Sequence, residues 1–191
     1  MANHVYFHIT SDEPMVNCFE SETVSRDYGS GPFELTELVN VTHQPFMQEA
    51  MKGVKVDKDG WPDEAYNWHI DNCGAKWVYL EDHDEDYLNG YSAWSPPIPM
   101  IEHLAKFLGT GIRMTYEDEF RNFIGVAWAD SDGLSNYEEL EGDDLNQELL
   151  DEIGGEDFPE NFDWWDSLDE LDGMSGQEYI DDAVYNWFEN Q

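Results

Sequence analysis

Between Asn122 and Gln191 the chain has no lysine or arginine, yet this stretch holds 22 of its 44 aspartates and glutamates. Any helix formed there has no internal cation to pair with its carboxylates, so the charged side must face water or a partner. The formal net charge of the whole chain is −36, and like charge on that scale opposes compaction. Composition nevertheless argues for a folded protein. Disordered acidic segments are poor in aromatics, whereas Phe, Trp and Tyr make up 15% of this chain and hydrophobic residues 40%. Phe158, Phe162, Trp164, Trp165, Tyr179, Tyr185, Trp187 and Phe188 all lie within the cation-free stretch, which therefore has the material for a core of its own. A length of 191 residues suits one ordinary domain with an appendage.

Cys18 and Cys73 are far apart and fit no metal or redox spacing, which predicts reduced thiols in a cytoplasm. The segment from Met1 to Phe7 lacks the basic start and apolar run of a signal peptide, and no stretch approaches eighteen apolar residues. The expectation is a cytoplasmic protein of the host cell that avoids membranes. Direct contact with nucleic acid is excluded on the same electrostatic ground, because phosphates need Lys and Arg.

Val5, Phe7 and Ile9 alternate with His4, Tyr6, His8 and Thr10, the pattern of a strand with one buried face. From Phe33 to Met51 short helical pieces are permitted. Pro62 to Asp71 reads as a short helix that Gly74 can end. Lys76–Glu81 and Tyr87–Trp94 read as a hairpin around the acidic turn His83 to Asp86. Ile101, Leu104, Ala105 and Leu108 mark an amphipathic helix closed by Gly109. Ile112, Met114 and Tyr116 then alternate as a strand, and Phe120–Ala129 supplies another whose long apolar run indicates a well-buried position.

This order of strand, helix, strand, strand, helix, strand is that of a ferredoxin-like split βαβ sandwich with an extra strand, an α+β fold. Asn67 to Trp77 (NWHIDNCGAKW), Ala93 to Pro97 (AWSPP), and Tyr116-Glu117 followed by Phe123-Ile124-Gly125 resemble hallmark segments of the YubB-type ferredoxin-like domain family of phage and plasmid proteins. Members of that family typically carry Asn-Trp-Gly-Thr-Lys-Trp where this chain has Asn72-Cys73-Gly74-Ala75-Lys76-Trp77. The resemblance covers residues 1–129. It implies a fold and an origin in a mobile element, but no catalytic role, and it leaves 130–191 unexplained.

Residues 130–191 are expected to form an acidic, mostly helical C-terminal region. In Asp143–Ile153, Leu145, Leu149, Leu150 and Ile153 form an apolar stripe, with Asp143, Asp144, Glu148, Asp151 and Glu152 on the other faces. In Glu160–Leu171, Phe162, Trp165 and Leu168 recur at three-residue spacing among Asp163, Asp166, Asp169 and Glu170. Gln177–Asn190 carries Ile180, Ala183, Val184, Trp187 and Phe188 on one side. Gly154-Gly155 and Gly173 separate the three pieces.

None of this points to an enzyme or to a cofactor. The six histidines form no nucleophile–base pattern, and His4 and His8 are about 13 Å apart on a strand, too far to share one metal ion. With 44 carboxylates, pairing them at any chosen spacing carries no information. Asp130-Ser131-Asp132-Gly133 with Glu141 has the two ends of an EF-hand loop, but Leu134 stands at the fifth position and glycine at the fourth. Val56 to Gly60 is a weaker match, with Lys58 inside it. A solvated acidic turn is the better reading of both, so no metal is assigned. Trp77, Trp94 and Trp128 fall on expected strands and read as core. Trp164 and Trp165 cannot both face inward on a helix, so one of them is a candidate exposed anchor for a partner.

The acidic surface has a bland reading, a solubilising face. Its magnitude argues for more. Two like charges about 8 Å apart in water repel by roughly 0.5 kcal/mol before screening, and the stretch holds many such neighbours. Duplex DNA carries one phosphate charge per ~1.7 Å of axis, so 22 charges match about 37 Å, or about 11 base pairs. Helices of ten to fourteen residues span about 15–21 Å, and three of them could spread the charge over that length. The expectation is a DNA-mimic inhibitor of a host restriction, CRISPR or other nucleic-acid-handling enzyme. Asp143, Asp144, Glu148, Asp151, Glu152, Asp163, Asp166, Asp169 and Glu170 would stand in for phosphates, and the partner would be a basic DNA- or RNA-binding host protein. One alternative is an acidic, salt-adapted accessory protein of a mobile element without inhibitory activity. The charge is graded, at −14 over 1–121 and −22 over 122–191, which favours a local purpose. A metal-dependent regulator is the other alternative.

Overall fold

A computed structural model describes residues 3–19, 39–57, 62–153 and 176–191. The chain forms a mixed α/β structure around an antiparallel sheet. In chain order the described strands are β1 (His4–Ser11), β2 (Val39–Asn40), β3 (Val78–His83), β4 (Tyr87–Ala93), β5 (Ile112–Asp118), β6 (Phe123–Ala129) and β7 (Ser135–Glu141). They lie side by side as β2-β3-β4-β1-β5-β6-β7, each antiparallel to its neighbours. The helices are α1 (Ala65–Cys73), α2 (Ile98–Leu108), α3 (Gly142–Ile153) and α4 (Gly176–Asn190).

The alternation along β1 sets the first core. Val5, Phe7 and Ile9 are buried, as are Leu80 of β3, Leu88 of β4 and Met114 and Tyr116 of β5 on the same face. Against them pack Trp68 and Cys73 of α1 and Met100, Ile101, Leu104 and Ala105 of α2. Both helices end where the sequence indicates, with Gly74 (φ 82°) and Gly109 (φ 70°) in the left-handed conformation of a helix C-cap. The region where short helical pieces are permitted includes, in its described part, the strand β2 and two 3-10 turns, Val41–His43 and Pro45–Met47, with Val41, Phe46 and Met47 in the core. Residues 33–38 lie outside the described residues.

β6 explains its own apolar run. Ala127 and Ala129 join the α1/α2 core, while Ile124 and Val126 point to the opposite face and meet a second core made by Leu145 and Leu149 of α3 and Ala183, Val184 and Trp187 of α4. A strand covered on both faces reads as a continuous hydrophobic segment. It starts at Phe123 rather than Phe120, because residues 119–122 form the turn from β5, where Arg121 has a positive φ of 52° and Phe120 is exposed.

One expectation needs correction here. Residues 135–141, placed at the start of a helical region, form the edge strand β7, so the sheet continues past the boundary set at 129/130. The strand also separates the two ends of the EF-hand match that the sequence set aside. Asp130 Oδ1 accepts from the backbone N–H groups of Asp132 (2.9 Å) and Leu134 (3.0 Å), closing a tight turn. Glu141 stands at the far end of the seven-residue strand, about 20 Å away at the usual rise per residue.

Candidate functional site

Acidic side chains collect on β7, α3 and α4. On β7, Glu138, Glu139 and Glu141 are exposed. Leu145 and Leu149 turn inward from α3, which leaves Asp143, Asp144 and Glu148 in water. Asp143 and Asp144 occupy the first helical turn, where the helix dipole favours negative charge by roughly 0.3–1 kcal/mol each. They therefore have a local structural reason to be there in addition to any binding role. On α4, Asp181, Asp182 and Glu189 are exposed while Ala183, Val184 and Trp187 are buried. Asp151 and Glu152 lie within the bounds of α3, but their side chains are outside the described set. Asp163, Asp166, Asp169, Glu170, Trp164 and Trp165, with the whole expected helix Glu160–Leu171, lie outside the described residues.

The cations that hold this end together come from β5 and the turn after it. Arg121 Nε is 3.1 Å from Glu117 Oε2, and its Nη2 donates to Asp181 of α4. Arg113 Nη2 donates to the carbonyl of Phe188 in the last turn of the same helix, where a cation also meets the negative end of the helix dipole. α4 is thus held at two points about 10 Å apart along its axis. Gln191, with its amide oriented to satisfy both neighbours, accepts from Trp187 Nε1 (3.2 Å) and donates to Glu138 Oε2 (2.9 Å), tying the helix end to β7. Asp181, Glu138 and Glu139 are each engaged by a neighbour within the molecule, so the outward array consists of Glu141, Asp143, Asp144, Glu148, Asp182 and Glu189.

β7 is locked to the sheet by one transverse row. Tyr116 of β5 pairs with Gly125 of β6, which pairs with Glu139 of β7. The Tyr116 ring lies across Gly125 so closely that a Cβ there would stand 2.2 Å from it, and its hydroxyl donates to Glu139 Oε2 at 2.9 Å. Burial first, then the Glu139 hydrogen bond, pushes the Tyr116 phenol far above its ordinary value.

The face of β1, β3 and β4 away from α1 and α2 carries a second collection of residues. His4, Tyr6, Trp77, Tyr79 and Tyr91 form a connected ring cluster. The centroids of His4 and Trp77 are 5.5 Å apart, those of His4 and Tyr91 5.2 Å, those of Tyr79 and Tyr91 5.7 Å and those of Tyr6 and Tyr91 6.3 Å. This corrects the core reading of Trp77 and Trp94. Trp77 lies just before β3 and is half-buried in this cluster. Trp94 is 59% exposed just after β4, with a φ of 73°. Trp128 is partly buried against the second core. The signal for the cluster is visible in the sequence, since Tyr6, Tyr79 and Tyr91 alternate with the inward residues Val5, Phe7, Val78, Leu80, Gly90 and Ser92.

His8 Nδ1 lies 2.6 Å from Asn89 Oδ1 on this outer face. Among the described residues no group of three or more His, Cys, Asp or Glu side chains could hold a metal ion, and no helix is long and apolar enough to cross a membrane. Cys18 and Cys73 are buried free thiols, and burial raises the pKa of both. Comparison of the chain with protein-family models, with curated proteins and with solved structures finds no match.

Proposed function

We propose that this protein is a binding protein, not an enzyme, that offers its acidic face to the basic DNA-binding channel of a host restriction, CRISPR or other nucleic-acid-handling protein. In this reading it is encoded by a phage or plasmid, acts in the host cytoplasm without a cofactor, and inhibits by occupying the place of DNA. One observation carries the proposal. Carboxylates of a stretch without Lys or Arg are exposed on β7, α3 and α4, elements fixed to the sheet by a shared apolar core. Held in place, they would meet a basic channel without the ordering cost that a disordered acidic tail pays on binding. Opposite charge over such an area would also accelerate association at low salt.

We further read β1, α1, β3, β4, α2 and β5 as the ferredoxin-like unit to which the YubB-type resemblance points. The order β3-β4-β1-β5, all antiparallel, supports that reading. β6, β7, α3 and α4 are then additions on the β5 edge.

The test is competition at low salt. Purified protein is titrated into complexes of a labelled DNA duplex with a panel of restriction nucleases and CRISPR effectors. The expected result is displacement from at least one of them, weakened by salt and by the combined change Asp143→Asn, Asp144→Asn and Glu148→Gln. No displacement from any member, with no change in their activities, would overturn the proposal.

A further inference from the structure

The five-ring cluster on the outer sheet face is a surface that the acidic array leaves unexplained. Tyr6 is 42% exposed, and His4, Trp77, Tyr79 and Tyr91 are each half-buried. Among the described helices, α1 and α2 pack on the other face, while α3 and α4 cover the outer face over β6 and β7. Beside the rings is a groove of about 290 Å³ whose lining includes Tyr6, His8, Glu81, Glu117 and Phe188.

Electrostatics decides what could sit there. Burial raises the Tyr6 phenol above its ordinary value, followed by the charges of Glu119, Glu81 and Glu117. Burial, then Glu81, takes Tyr91 up to about 12. The carboxylates nearest the rings are Glu81, Glu117 and Glu119, of which Glu117 is paired with Arg121 and Glu119 lies 3.9 Å from His4. An exposed aromatic sheet can stack nucleic-acid bases, but these glutamates would face the phosphates. A second copy of the chain brings another −36. A cation is the complementary occupant, and guanidinium fits best because its plane stacks on aromatic rings while its edge pairs with a carboxylate.

We propose that this face docks an arginine-bearing segment of a partner protein, with one guanidinium laid on the Tyr6 and Tyr91 rings and paired with Glu81. The proposal does not depend on nucleic-acid mimicry, since it uses none of the carboxylates of β7, α3 or α4. It names a chemistry of recognition in which a lysine-bearing segment would be a poorer substitute, as its ammonium is a compact point charge.

The probe is a short peptide of alternating arginine and glycine, with the matching lysine peptide beside it. Binding to the full chain is followed by NMR at the Trp77 indole N–H, assigned through Trp77→Phe, and by calorimetry. The expected result is saturable binding that moves the Trp77 signal, tighter for the arginine peptide. The combined Tyr6→Leu and Tyr91→Leu change should weaken it about ten-fold, whereas Tyr6→Phe, which keeps the ring, and Glu148→Gln on α3 should leave it within about two-fold. Glu81→Gln should weaken it as well, without removing a ring. Equal binding by all variants, or loss confined to Glu148→Gln, would overturn the proposal and assign the peptide to the diffuse acidic surface. Movement of the Trp77 signal by a single-stranded oligonucleotide, or by protein concentration alone, would overturn it in favour of bases or of a second copy. DNA displacement is measured separately, so failure here and failure of the mimicry reading are distinguishable.

Discussion

At the level of single residues, the sharpest constraint is the row Tyr116, Gly125 and Glu139. Any side chain at 125 meets the tyrosine ring, and the backbone of two central strands leaves the ring little room to move. Gly125→Ala should therefore cost about 3 kcal/mol or more, within the range of overpacking and lost buried contacts. Tyr116→Phe removes only the hydrogen bond to Glu139 and should cost about 1–2 kcal/mol. Urea unfolding measures both, and equal costs would contradict the row as described. His69 gives a prediction in pH. It is buried in α1, and its Nδ1–H donates to the Ala65 carbonyl at 2.6 Å. Burial holds its pKa below 6.5. The unfolded chain then binds this proton more readily than the folded one, so the contribution is intact above about pH 6.5 and declines as pH falls below that value. His103, lowered mainly by burial, acts with the same sign. The stability lost between about pH 7.5 and 5.5 should be smaller in His69→Gln than in the parent protein.

Among the elements, legibility followed burial. β1, β5 and α2 announce themselves because one side of each faces a core, and two glycines mark the helix ends. β7 does not, since Ser-Asn-Tyr-Glu-Glu-Leu-Glu has almost no inward-facing apolar residue. Its pairing comes from the backbone of β6 and from Tyr116. An edge strand studded with glutamates also resists pairing with another chain, so the feature that hides it from periodicity has a use. The acidic helices were readable as amphipathic, but their attachment was not. Arg113 and Arg121 sit in β5 and the following turn, distant in sequence from the α4 residues they hold. Trp187→Ala should cost about 3–5 kcal/mol of the second core, and Arg121→Gln about 1 kcal/mol or less because Asp181 is half-exposed. Hydrogen exchange should show α4 amides losing protection in both variants while β1 amides keep theirs. Uniform loss across the sheet would show that the two cores do not open separately.

For the molecule as a whole, charge is segregated as well as abundant. The three arginines are Arg26, Arg113 and Arg121, and the latter two hold α4, Arg113 at the Phe188 carbonyl and Arg121 at Asp181. Screening should therefore stabilise the fold. The Debye length shrinks from about 30 Å at 0.01 M salt to about 8 Å at 0.15 M, so Tm should rise by several degrees over that range and level off beyond it. A rise that continues steeply into molar salt would favour salt adaptation over a partner-directed surface. Differential scanning calorimetry along a sodium chloride series separates the two.

The second core also sets an order of events during synthesis. β6 is complete before β7, α3 and α4 have been made, so at that moment Ile124 and Val126 lack the cover of α3 and α4, and Arg121 has Glu117 but not Asp181 beside it. Domains consolidate from the N-terminal side as the chain grows, and α4 would arrive on a sheet already displaying the arginines that receive it. A ribosome stalled within 130–175 would hold a chain with one apolar sheet face open, which makes this interval the one where a chaperone would matter most.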